Sequence, residues 1–136
     1  MQIQELLLLK HRIALVTGGG KGIGRAIGQH LARAGATVYL AARTEADINE
    51  AIDESSAQIA AEGHGGQLIA AVGDVMDTGF QQQLLARIQA AHGRLDILVN
   101  NVGGYPPGHI SQVSADGFRQ ALSFNTASAF DITREC

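Results

Sequence analysis

Four short runs dominated by apolar and β-branched residues restrict this chain to few folds: Ile13–Thr17 (IALVT), Thr37–Ala41 (TVYLA), Gln67–Val72 (QLIAAV) and Leu95–Val99 (LDILV). A stretch of helical periodicity separates each from the next. Strands joined through a single helix cannot close as hairpins. They pair in parallel through right-handed crossovers, and the helices then cover both faces of the sheet. The order of elements therefore predicts a three-layer, doubly wound α/β fold, with residues 1–136 as one domain.

The intervening helices carry their own signals. In the first, Ile23, Ile27 and Leu31 recur at four-residue spacing, which predicts a core-facing stripe, and Gly35 supplies a stop. The second starts at a Thr44 N-cap, places Ile48, Ile52 and Ile59 on one face, and breaks at Gly63 and Gly65-Gly66. Asp77 or Thr78 caps the third, which carries Phe80, Leu84 and Ile88 and closes at Gly93. After a loop containing Pro106 and Pro107, a last helix begins near Ser114 or Asp116 and runs to the end of the sequence.

Between the first strand and first helix lies Thr17-Gly18-Gly19-Gly20-Lys21-Gly22-Ile23-Gly24. Backbone N–H groups and the positive end of a helix dipole face an anion at such a junction, provided no side chain intervenes. Gly18 permits the tight turn, Gly22 lets a diphosphate approach the backbone, and Gly24 lets the helix pack close to the strand. The strict G-x-G-x-x-G fingerprint of dinucleotide sites is not met, and the spacing here is G-x-x-x-G-x-G.

Composition excludes other classes. The net charge is -3 with the basic residues dispersed, so no basic stripe is available to a nucleic acid. The start of the sequence has no positive leader region, and the Leu6–Leu9 run is too short to span a membrane, so a cytoplasmic protein is expected. The five histidines and single cysteine show no metal-ligand spacing.

Thr17 to Gly24 matches the TGxxxGIG signature, and on these residues the chain resembles the short-chain dehydrogenase/reductase family. Asp74-Val75, directly after the third strand, falls where that family contacts the adenine ring. Asn100-Asn101-Val102-Gly103, after the fourth, is similar to the family's NNAG motif with Val102 in place of alanine. The resemblance runs from about Arg12 nearly to the end of the chain. It implies a Rossmann-like sheet in the order 3-2-1-4 and a nicotinamide dinucleotide as cofactor. Thr17, Gly18, Gly20, Lys21, Gly22, Ile23, Gly24, Asp74, Val75, Asn101, Val102 and Gly103 would then border the cofactor, with Asp74-Val75 at the adenine.

A carboxylate at the end of the second strand would select NAD, because it accepts the ribose hydroxyls and repels a 2′-phosphate. Ala42-Arg43 stands there instead, and the Arg43 guanidinium can pair with phosphate through two donors. NADP is favoured over NAD, with Lys21 as a second positive charge. Glu45 and Asp47, beyond the strand, read as first-turn helix residues.

Family chemistry calls for a tyrosine, a lysine four residues later, an upstream serine and an asparagine. Only Asn125, in FNTASAF, has a counterpart; it shares the apolar helical face of Phe118 and Leu122, which predicts a buried amide. Tyr39 is followed four residues on by Arg43 and Tyr105 by His109, while the lysines are Lys10 and Lys21. The chain thus reads as the nucleotide-binding front part of such a protein, ending before the tyrosine-lysine motif. The family's sheet normally continues past the fourth strand, so an open edge and an uncovered last helix point to a homodimer or higher oligomer through that region. Three functions stay open: an NADP(H)-binding module without catalysis of its own, an oxidoreductase completed by a further half, or a remnant that dimerises without binding.

Overall fold

The computed structural model describes residues 7–136, so the reading of the first six residues lies outside the described part. Strands β1 (Ile13–Thr17), β2 (Thr37–Ala42), β3 (Gln67–Val72) and β4 (Ile97–Val99) form one parallel sheet in the order β3-β2-β1-β4. This is the expected architecture. In register, Leu15 lies opposite Tyr39 on one side and Leu98 on the other.

Alternation along β1 divides the core between the two faces. Ile13 and Leu15 point with Tyr39 and Ala41 toward Leu84, Ile88 and Ile132. These last three belong to helices α3 (Thr78–His92) and α5 (Ser128–Glu135). Ala14 and Val16 point with Val38 and Leu40 toward Ala32, Ile48 and Ala51 on α1 (Gly22–Arg33) and α2 (Glu45–Glu62). All five β1 residues are buried, because both neighbours and both helix layers cover the central strand. Each such side chain the size of leucine contributes roughly 1.5–3 kcal/mol.

Helix ends follow the sequence signals with one exception. Gly35, Gly63 and Gly93 terminate α1, α2 and α3 with φ of 105°, 66° and 70°. The Asp77 carboxylate accepts the N–H of Gly79 and Phe80, and the Ser114 hydroxyl that of Gly117 at the start of α4 (Ala115–Leu122). Thr44 occupies the N-cap of α2, but its side chain makes no capping bond.

Three expectations need correction. The Ile23 stripe is not the inner face of α1: Ile23 is 75% exposed, and the buried positions are Gly24, Gly28 and Ala32. A Cβ on Gly28 would collide with the Leu40 side chain, so the helix lies too close to the sheet for anything larger there. Ile27 and Leu31 pack along its flank. Second, β4 starts at Ile97 rather than Leu95. The Asp96 carboxylate accepts the Ile13 N–H at 2.8 Å, replacing a ladder bond with a side-chain bond at the mouth of the sheet. Third, the last helix is not uniform. It widens into a π-type turn over Ser123–Ala127, which changes the angular position of Asn125 and leaves that residue exposed.

Candidate functional site

The C-terminal ends of the four strands meet on one rim, and the glycine-rich turn lies along it. Thr17 is buried, and its hydroxyl closes the junction of β1 and β4. It donates to the Val99 carbonyl at 3.3 Å and accepts the N–H of Asn101 at 3.0 Å and of Val102 at 3.2 Å. The Asn101 amide then donates to the Gly18 carbonyl at 3.2 Å. The glycine turn and the 101–103 segment, distant in sequence, are therefore built as one unit.

Gly18 has φ +66°, and a Cβ on it would fall 2.8 Å from the Asn101 amide. At Gly24 a Cβ would strike the Gly18 carbonyl oxygen, so both positions exclude a side chain by contact. Gly22 differs: its φ is +54° and no atom lies within 4 Å of where a Cβ would stand. That open space faces the start of α1. Lys21 holds the N-cap there without a side-chain cap, so the first-turn N–H groups face outward with no intrahelical acceptor. A diphosphate meets the requirements of this place: donors, a positive dipole end and room that only a missing Cβ leaves.

Beside it, Ala42 ends β2 and Arg43 is exposed, with no ion pair among the described residues. Lys21 is not equally available. Its ammonium is 3.1 Å from the Asp47 carboxylate, which comes from the first turn of α2. Arg25 organises the same corner: its Nε donates to the Gly20 carbonyl at 2.9 Å and one Nη to the Asp47 carbonyl at 3.3 Å. It also pairs with Glu50 and Glu54, and its hydrogen bond to Glu50 is the largest cause of its raised pKa. Neither Arg25 nor Asp47 stood out in the sequence as part of the site, since each acts through a contact between successive helices that periodicity does not record.

On the next strand, the Gly73 N–H bonds the Ala42 carbonyl at 2.9 Å, which brings Asp74-Val75 beside β2. Asp74 is exposed and one carboxylate oxygen accepts the Met76 N–H at 2.9 Å. Val75 turns its side chain into the core, so only its backbone can serve a ligand. Ile23 stands exposed on the outer side of the turn.

Asn125 is not buried as expected, yet it is fully engaged. Its Oδ1 accepts the Gly104 N–H at 2.7 Å, and its Nδ2 donates to the Gly104 carbonyl at 3.1 Å and the Ala121 carbonyl at 2.8 Å. A Cβ on Gly103 would fall 2.7 Å from the same Oδ1, so the glycine is what lets the carboxamide approach. Tyr39 takes no place on the rim: it is buried, and its hydroxyl is 2.9 Å from His92 Nε2, beneath the Arg87 guanidinium.

A groove of about 490 Å³ between α2 and β3, lined by Ile52, Ile59 and Leu68 among others, opens near the start of β3. It lies at the opposite ends of the strands from the glycine turn, whereas open α/β sheets take ligands at the C-terminal ends. Among the described residues no cluster is suited to a metal ion, and no helix is long and apolar enough to cross a membrane.

Comparison with known proteins places the chain in a family. The family model described as short chain dehydrogenase matches residues 12–136. An oxidoreductase of Mycobacterium tuberculosis is 36% identical over 131 residues, 96% of this chain and 48% of the relative. A short chain dehydrogenase of Passalora fulva is 35% identical over 128 residues, 93% of this chain and 46% of the relative. Among solved structures, a short-chain type dehydrogenase/reductase from Mycobacterium ulcerans superimposes with a TM-score of 0.84 at 29% identity, covering 94% of this chain and 46% of that one. A dehydrogenase/reductase from Sinorhizobium meliloti gives 0.83 at 30% identity, covering 97% and 50%. The chain spans about half the length of the curated relatives it matches. With its ordered motifs assembled on one rim and a family match over residues 12–136, the chain belongs to the short-chain dehydrogenase family of oxidoreductases.

Proposed function

We propose that these residues form an NADP(H)-binding unit that does not turn the nucleotide over by itself. The observation that carries the reading is the uncovered first turn of α1 at Gly22, where a Cβ would meet nothing within 4 Å and the helix dipole favours an anion. The diphosphate is held by the backbone of Gly20, Lys21, Gly22 and Ile23, with Gly18 and Gly24 shaping the turn. Arg43, beside Ala42, takes the 2′-phosphate, the adenine lies along Asp74-Val75, and the segment Asn101, Val102 and Gly103 borders the nicotinamide side.

When bound, a nicotinamide ring supplies hydride transfer, and the accompanying proton needs a residue to give or take it. Within these 136 residues no tyrosine has a lysine four positions on. Asn125 acts here on the 103–104 backbone rather than on a reacting atom. Turnover therefore requires groups beyond those described, and an oxidoreductase completed by a further half is the second reading, favoured by coverage of only 48% of the Mycobacterium tuberculosis relative.

Self-association through the β4 edge and the last helices belongs to the same proposal. Phe118, Leu122 and Phe130 are 58%, 48% and 62% exposed there, and apolar side chains grouped on one exposed helical segment favour a partner surface.

Calorimetric titration of the purified chain with NADPH and NADH, with light scattering in the same buffer, tests these statements. Tighter binding of NADPH, weakened about tenfold by Arg43→Ala, is the expected result, in line with loss of one charge-assisted bidentate contact. No heat with either nucleotide, from a folded chain, would favour the third reading, a remnant that dimerises without binding.

A further inference from the structure

We infer that Asp47 is a specificity-determining residue of the nucleotide site: by holding Lys21, it limits how strongly a 2′-phosphate is preferred over a 2′-hydroxyl. The inference rests on the dinucleotide reading above and adds to it a residue that the sequence places in the next helix.

The end of β2 is the position from which a carboxylate contacts the adenosine ribose in NAD-selective sites, and Ala42 leaves that position without one. Asp47 restores a negative charge to the same corner from a different element. A Cβ placed on Gly20 would lie 3.1 Å from the Asp47 Cβ and 3.2 Å from the Ala42 Cβ, so the glycine turn, the strand end and the first turn of α2 converge there. The side chain of Asp47 is 21% exposed and that of Lys21 is 73% exposed. The carboxylate is thus the more enclosed partner and the ammonium the one open to an arriving ligand.

Two further observations separate this pair from an incidental surface contact. Arg25 ties the Gly20 carbonyl and the Asp47 carbonyl to one guanidinium, which sets the spacing of the backbones that carry Lys21 and Asp47. Asp47 also stands three residues after Thr44, the place of the acid in a capping box, yet Thr44 makes no cap bond and Asp47 faces Lys21 instead.

The charges at the corner are Lys21, Arg43, Asp47, the first-turn Glu45 and Arg25, the last paired with Glu50 and Glu54. With Lys21 and Asp47 paired, Arg43 alone offers an uncompensated cation to a phosphate. An arriving 2′-phosphate competes with Asp47 for Lys21, whereas a 2′-hydroxyl does not. Asp47 therefore acts on the nucleotide through Lys21, as a positioning residue.

The experiment is titration of the full chain and its Asp47→Asn, Asp47→Ser, Lys21→Met and Asp47→Asn/Lys21→Met variants with NADPH and NADH at low and high salt. Asp47→Asn and Asp47→Ser are expected to lower the Kd for NADPH about threefold to fivefold, as for release of one exposed charge pair. NADH binding stays unchanged, and the NADPH response to salt steepens. In the double variant the gain disappears, which a mere change in helix stability would not produce. Binding with an unaltered NADPH to NADH ratio in both Asp47 variants, or a gain that persists without Lys21, overturns the inference and leaves the dinucleotide reading standing. Failure of the unaltered, folded chain to bind either nucleotide overturns both.

Discussion

The carboxamide of Asn125 closes on both polar groups of Gly104, accepting its N–H at 2.7 Å and donating to its carbonyl at 3.1 Å. One side chain thereby substitutes for a strand partner beside a glycine whose φ is 137°, a conformation few other residues hold. Replacing Asn125 with alanine should cost about 1 kcal/mol of stability, the net worth of hydrogen bonds near water. Amide exchange at Gly104 should quicken by about tenfold, while exchange in β1 tracks only the global change. Unaltered protection at Gly104 would show that the loop keeps its shape without the carboxamide.

The Thr17 hydroxyl should prove less replaceable than its size suggests. Thr17→Val preserves shape but removes the acceptor shared by the Asn101 and Val102 amides. A loss of about 1–3 kcal/mol is expected from leaving those donors unpaired, whereas Thr17→Ser should stay within about 1 kcal/mol. Denaturant midpoints at constant slope would report it. Equal midpoints for the two variants would contradict the role assigned to the oxygen.

Gly22 and Gly24 should separate binding from folding. At Gly24 a methyl group meets the Gly18 carbonyl, so Gly24→Ala should destabilise by about 2–3 kcal/mol. At Gly22 the space is open but φ is +54°, and alanine there should cost about 1–2 kcal/mol in backbone strain. Its methyl group would occupy the place proposed for the diphosphate, so the proposed NADPH binding should weaken about tenfold or more by loss of charge-assisted contacts. Thermal melts read alongside titrations distinguish the two. A Gly22→Ala chain that binds as before would remove the phosphate from the start of α1.

Asp96 should govern part of the acid limb of stability. Hydrogen bonding from Arg94 is the first cause that holds its carboxyl at about 2, followed by the Ile13 N–H. Because this value lies below the ordinary 3.8, the stabilisation is complete above about pH 4 and is lost as pH falls toward 2. Asp96→Asn should lower stability at neutral pH, and the difference from the unaltered chain should vanish near pH 2. A difference that stays constant across that window would assign the effect to packing.

The strands were legible because a buried parallel strand leaves a composition of its own: Ile13–Thr17 has covered faces on both sides and reads as an unbroken apolar run. Gly35, Gly63 and Gly93 marked helix ends correctly because positive φ selects glycine locally. What escaped was set by relations between distant segments. The inner face of α1 was misread since large side chains signal burial only when the interface has room, and Leu40 leaves none at Gly28. Asn125 was expected on an inner face because a 3.6-residue period was carried through Ser123–Ala127, where the helix widens. Lys21, read as a free cation, proved to be paired, since its partner Asp47 is supplied by another helix.

The close seating of α1 reverses the usual link between size and importance in a helix. Its first large apolar residue, Ile23, sits where change costs little, and its smallest residues sit where no substitute fits. A saturation scan of Gly22–Arg33 should therefore show intolerance repeating every three to four residues but displaced by one from Ile23, Ile27 and Leu31. Ile23 would accept polar replacements that a hydrophobicity plot forbids, and Gly28 would refuse the alanine that propensity recommends. In this helix the constraint lies in the positions where atoms are withheld.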